Sequence, residues 1–161
     1  MFRRISGGAL ALLLAATFAL PAAAGQQRPM KGTFSGSPAA VDPRCGPDAL
    51  TIAFTLQGVA THLGRFTGSG SNCTEFDFFL DSAAIWEGLT IIKAADGSTL
   101  TLDATGLQQA PVDGIASYSH TDNVLGGTGR FANATGVLTI SGQINFNTGS
   151  VTGTVEGWLS Y

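Results

Sequence analysis

From Gly32 to Tyr161 apolar and polar residues take turns, and this period of two decides what the chain can fold into. Successive side chains of a strand point to opposite faces, so such alternation belongs to half-buried sheet. In LTIAFTLQG, Leu50, Ile52, Phe54 and Leu56 share one face. No stretch after residue 25 keeps a helical period. Eight strands are expected, over 32–37, 50–58, 61–71, 87–95, 98–106, 115–124, 136–146 and 151–161.

Turn chemistry suggests how these strands pair. With Val59 at the centre of a hairpin, Phe66 stands opposite Ile52, and His62 opposite Leu56 on the apolar face. The same register sets Cys45 across from Cys73, which predicts a disulfide worth about 3–4 kcal/mol in the chain-entropy picture. Asp96-Gly97 is a two-residue hairpin signal. It puts Leu89 and Ile91 on the face of Leu100 and Leu102, with Thr90, Thr101 and Asp103 outside. A last hairpin centred on Thr148-Gly149 sets Leu138 against Leu159, Ile140 against Gly157, Gly142 against Val155 and Ile144 against Gly153. Glycine inside a strand weakens it unless it permits a bend or a close approach. A small closed barrel needs both. A two-sheet sandwich satisfies the same alternation, but closure also removes the edge strands that an exported monomer would have to protect. The expected fold is all-β, a closed eight-stranded antiparallel barrel.

The first residues read differently. Arg3-Arg4, the apolar run Ala9 to Leu20, Pro21 and then Ala22-Ala23-Ala24 form a secretory signal with cleavage expected after Ala24. This leaves residues 25–161 as one barrel domain, secreted or periplasmic. No segment approaches the roughly 20 apolar residues of a spanning helix. Without Arg3 and Arg4, six basic residues face 11 acidic ones. They form no cluster, which argues against a nucleic-acid partner. A disulfide suits an exported chain, and two cysteines alone make no zinc site. Asn72-Cys73-Thr74 and Asn133-Ala134-Thr135 match glycosylation sequons, which matter only in a eukaryotic host.

GGTGRFANATG, residues 126–136, contains the spacing G-x-G-x-x-A of a dinucleotide loop. That loop works only between a strand and a helix whose N-terminus meets the pyrophosphate. Here a strand, VLTISGQINF, follows. The glycines are therefore expected to supply positive-φ positions at a barrel corner. Arg130 becomes an ion-pairing or carbonyl-binding strut. Leu63-Gly64-Arg65-Phe66 echoes Thr128-Gly129-Arg130-Phe131, as a corner used twice would.

GGTGRFANATG, followed by LTISG and GTVEGWLSY, resembles the C-terminal half of allene-oxide-cyclase-like and dirigent-like β-barrels. It is closer still to small exported bacterial proteins of that type, as is THLGRFTGS at 61–69. The resemblance covers 126–161 well and the remainder loosely. It implies an eight-stranded barrel with a central cavity. The plant relatives steer cyclisation or coupling of hydrophobic intermediates and are often dimers or trimers, so an oligomer is compatible with it. The resemblance does not extend to placing those families' catalytic or pocket residues on this chain.

The candidate ligand-binding residues are Leu50, Ile52, Phe54, Phe66, Leu89, Ile91, Leu138 and Ile140, a barrel lining for a small apolar molecule. His62 and Tyr118 are the candidate acid–base groups if the barrel is an isomerase or cyclase; in each, a structural role is the plainer reading. Tyr118, His120 and Asp122 alternate in YSHTD, either on a cavity wall or on a solvent-facing strand, with the latter favoured. A metal site is disfavoured and no cofactor is expected. TEFDFFLD with SAAIWEG reads as a long connection, a lid or a plug at one barrel end. No G-x-S-x-G elbow exists for a serine hydrolase. A third role is structural, with a filled barrel acting through its Thr/Ser-rich outer face or Trp158.

Overall fold

In a computed structural model, described here for residues 26–38, 45, 49–77 and 81–161, the strands close on themselves. They are β1 (Arg28–Pro38), β2 (Leu50–Ala60), β3 (Gly64–Asp77), β4 (Ser82–Lys93), β5 (Thr99–Gln109), β6 (Ile115–Gly127), β7 (Thr135–Asn145) and β8 (Ser150–Ser160). Every neighbouring pair is antiparallel, and β1 also pairs with β8 to complete the barrel. Among the described residues no helix is long and apolar enough to cross a membrane. The expected leader, residues 1–24, lies outside the described residues.

The closed eight-stranded architecture agrees with the alternation, but several registers do not. The β2–β3 turn centres on His62, since Ala60 pairs with Gly64 and Phe66 with Gly58. His62 and Gly64 both take left-handed backbone there, at φ 66° and 67°. The hairpin centre moves by three residues, so opposed pairs shift by six, an even number. Phe66 therefore stays inward and buried, while His62 leaves the sheet for the turn. The disulfide Cys45–Cys73 is present, although Thr51 is the residue that pairs with Cys73 in the ladder.

The larger correction concerns β4. Ala95-Asp96-Gly97 forms a three-residue turn, closed by the Ala94 N–H donating to the Ser98 carbonyl at 2.9 Å. Gly97 occupies the left-handed position at φ 85°, the geometry of a type I turn with a glycine bulge. The register slips by one residue from the two-residue expectation, so Leu102 pairs with Thr90 and Leu100 with Ile92. One residue inverts a strand. Thr90 and Ile92 are buried, whereas Leu89 and Ile91 are 42% and 46% exposed.

A bulge at Trp86–Glu87 reconciles this with the start of the strand. Ala83 and Ile85 point inward before it, and Gly88, Thr90 and Ile92 point inward after it. SAAIWEG, expected in a connection, is thus strand. The link from β3 to β4 shrinks to residues 78–81, of which 78–80 lie outside the described residues, so most of the long connection expected over 74–88 as a lid or plug is strand instead.

In the β7–β8 hairpin, Leu138 pairs with Gly157, Ile140 with Val155 and Gly142 with Gly153. This is two residues from the expected register. An even slip preserves faces, and Leu138 and Ile140 remain buried.

The barrel has two unlike ends. At the end holding the β2–β3, β4–β5 and β6–β7 corners, Met30, Leu63, Leu100, Phe131 and Leu159 are each at most 1% exposed and fill the interior. The GGTGRF corner closes this end. Residues Gly129–Phe131 make a single 3-10 turn, and Gly126 and Gly129 carry φ of 105° and 59°. Arg130 bonds Asp96 at 3.2 Å through Nε and donates through Nη2 to the His62 carbonyl. It is a strut between three corners, as its sequence context implied. At the other end, the inward-facing Phe34, Ile52, Phe54 and Ile144 are only half-buried.

Candidate functional site

The half-buried end leads into a cavity of about 120 Å³ inside the barrel. Its wall is mostly aliphatic and aromatic. Ile52, Phe54, Phe66 and Ile140, all expected there, line it. Leu138 is fully buried in the core and does not reach the cavity wall. Leu89 and Ile91 stand on the outside for the register reason given above, which removes them as lining residues. Leu50 pairs with Thr74 in β2, and its side chain lies outside what is described. His62 is also misplaced by the sequence reading. It sits in the turn at the filled end, with Nε2 3.1 Å from the Pro29 carbonyl and its ring edge-on to Tyr161.

The polar side of the cavity comes from β6. Regular strand geometry turns Tyr118, His120 and Asp122 inward together, so the solvent-facing reading of YSHTD is overturned. Asp122 is 2% exposed. Its Oδ1 lies 2.5 Å from His120 Nδ1. The Tyr118 and His120 rings are stacked, with centroids 5.7 Å apart. The Tyr118 hydroxyl donates to the Thr152 carbonyl at 3.1 Å. Burial, and then the Asp122 charge, push the Tyr118 hydroxyl well above the ordinary tyrosine range. Tyr118 therefore stays a protonated donor at any physiological pH.

Glycines on the facing strands make room for this row. A Cβ on Gly106 would lie 2.4 Å from the His120 Cβ, and one on Gly142 would lie 2.5 Å from the Tyr118 hydroxyl. Large side chains inward on β6 require small ones on β5, β7 and β8. Thr90 and Gln108, both buried, add further polar groups to the wall. The sequence placed Thr90 on the outer face, for the register reason given above, and Gln108 beyond the strand expected at 98–106, so neither was expected on the wall.

Chemically, the arrangement is a narrow apolar chamber with one imidazole, oriented by a buried carboxylate, and one tyrosine hydroxyl. No Lys or Arg lines it among the described residues. No group of three or more His, Cys, Asp or Glu that could hold a metal ion occurs among them either.

No protein-family model matches the chain, and no curated protein matches it. Among solved structures, a pterocarpan synthase dirigent protein is similar at 13% sequence identity, with a TM-score of 0.53. The alignment covers 93% of this chain and 98% of that one. Identity this low speaks for the fold and for no individual site residue. In architecture, then, the chain is similar to a dirigent protein, as a closed eight-stranded antiparallel barrel.

Proposed function

We propose that this chain is an exported barrel protein that binds one small, largely apolar molecule inside the barrel. The observation that carries the reading is the cavity itself, an apolar chamber with polar groups gathered on one wall. Ligand sites commonly combine an apolar lining with a few placed polar groups. The leader-like residues 1–24 and the Cys45–Cys73 disulfide support a secreted or periplasmic location. The likeness of GGTGRFANATG to small exported bacterial barrels supports it as well.

Size limits the ligand. Pockets for drug-sized molecules run to roughly 300–1,000 Å³, well above the 120 Å³ here. An engineered apolar cavity of about 150 Å³ holds benzene. A single six-membered ring is therefore the scale of what fits without rearrangement.

Native mass spectrometry of protein purified without denaturation from its export compartment tests the reading. A stoichiometric added mass that disappears on denaturation supports it. A bare polypeptide that also takes up no small cyclic molecule offered in solution overturns it and moves attention to the outer surface, the structural alternative.

The His120–Asp122 pair favours a second reading, an isomerase or cyclase like the allene oxide cyclase group. A histidine oriented by a buried acid is the usual form of a general base. Here that role would fall to His120, with Tyr118 as a proton donor. His62, first considered for it, lies at the other end of the barrel. Turnover of a bound ligand, lost in His120→Ala even at ligand concentrations that saturate the variant, distinguishes catalysis from binding.

A further inference from the structure

We infer that the recognition group of this cavity is the Nε2 lone pair of His120, and that its ligand is a neutral molecule donating one hydrogen bond, as an alcohol does. The inference rests on the reading that the barrel binds a ligand, and it names the ligand's chemical class.

The argument starts from Asp122. A carboxylate offers only acceptors, so the imidazole nitrogen facing its Oδ1, Nδ1, carries the proton. In a neutral imidazole the other nitrogen is then an acceptor. Among the described residues Nε2 has no hydrogen-bond partner, and His120 lines the cavity. The Tyr118 proton goes to the Thr152 carbonyl and Asp122 holds His120, while Thr90, Gln108 and Asn72 carry hydroxyl and amide groups that can donate or accept and so serve an alcohol and a ketone alike. His120 Nε2 is the group of this wall that can only accept, and it therefore favours a ligand that donates.

Charge sharpens the choice. His120 and Asp122 are the only ionisable side chains besides Tyr118 on the described wall, and no Lys or Arg is there to meet an anion. A carboxylate entering the chamber would give up its water and approach the buried Asp122 charge, both unfavourable. An ammonium ion would give up its water as well, and Asp122 already spends its nearer oxygen on His120. A hydroxyl loses little water and satisfies Nε2.

The test uses the disulfide-bonded barrel and four cyclohexyl probes of nearly equal shape: cyclohexanol, cyclohexanone, cyclohexanecarboxylate and cyclohexylammonium. Dissociation constants come from ligand-observed NMR titration, and the ring-nitrogen resonances of His120 are followed in nitrogen-15-labelled protein. Cyclohexanol is expected to bind about tenfold more tightly than cyclohexanone, which cannot donate, with the carboxylate weakest. On binding the alcohol, the unprotonated Nε2 resonance should move while Nδ1 remains protonated. His120→Phe should abolish the preference, so that the ratio of the cyclohexanol and cyclohexanone affinities falls to about one.

The ligand series on the unmodified protein decides the matter even if that variant does not fold. Equal affinity for alcohol and ketone, a proton on Nε2 in the free protein, or tighter binding of the carboxylate or the ammonium overturns the inference and leaves the ligand-binding reading intact. Absence of binding by all four probes up to their solubility limits overturns both.

Discussion

Gly142 and Gly153 face each other across the β7–β8 ladder, and the Tyr118 hydroxyl occupies the space into which both side chains would project. A Cβ on Gly153 would come within 2.7 Å of that oxygen and 2.5 Å of the Phe34 ring. The two glycines are therefore the counterpart of the large residue on β6. Such pairing lets a barrel this narrow carry a tyrosine inside at all.

The Gly153→Ala substitution tests this packing. The added methyl must displace either Phe34 or Tyr118, and overpacking of this kind costs about 1–3 kcal/mol. Urea unfolding should show a lower midpoint with an unchanged slope. Tyr118→Phe, which removes the hydroxyl, should partly restore stability in the double variant while destabilising the parent by about 1 kcal/mol through the lost bond to Thr152.

The face assignment of β4 and β5 gives a sharper contrast. Leu102→Ala removes a buried side chain and should cost about 2–5 kcal/mol. Leu89→Ser and Ile91→Thr alter residues nearly half exposed and should each change stability by about 0.5 kcal/mol or less. The register expected from Asp96-Gly97 would make all three costly. Denaturant titration of the three variants separates the two arrangements.

Alkaline titration reads out Tyr118. Its hydroxyl is held above the ordinary tyrosine value in the folded protein, so the folded state binds this proton more tightly than the unfolded chain does. The corresponding stability is fully present below about pH 10, the unfolded tyrosine value, and is lost as pH rises beyond it. In a Tyr161→Phe variant, where Tyr118 is the remaining tyrosine, tyrosinate absorbance should appear only above pH 10 and coincide with unfolding. Appearance below that point in a folded barrel would contradict the buried placement.

The disulfide closes a loop of 28 residues. Cys45→Ala with Cys73→Ala should destabilise the barrel by about 3–4 kcal/mol if the chain-entropy picture holds. The comparison is made by urea unfolding of the double variant against the oxidised parent. A loss below about 1 kcal/mol would mean that the neighbouring strands already restrain this segment.

All three hairpins that the sequence misjudged erred in where the turn is centred, and the consequences differed with parity. In β2–β3 and β7–β8 the true register lies an even number of residues away, so Phe66, Leu138 and Ile140 were assigned to the correct face for an incorrect pairing. In β4–β5 it lies one residue away, and Leu89 and Ile91 exchanged places with Thr90 and Ile92. Composition misled as well, because Leu89 and Ile91 are more apolar than the Thr90 that the barrel buries. YSHTD was legible as a row on one face, while the side of the wall it took was not.

Local chemistry was enough to determine the kind of structure. The period of two, the positive-φ glycines of GGTGRF and Arg130 among them act within a few residues of chain, and they specify strands, corners and a strut wherever the chain goes. Closure of the ring decided the rest. A turn of two or three residues, or a bulge such as Trp86–Glu87, costs little locally, yet it sets the parity of a whole strand. Only when β1 meets β8 must all eight parities agree, and that agreement turns Tyr118, His120 and Asp122 into the cavity, sends His62 to the filled end and leaves Leu89 and Ile91 on the outer face.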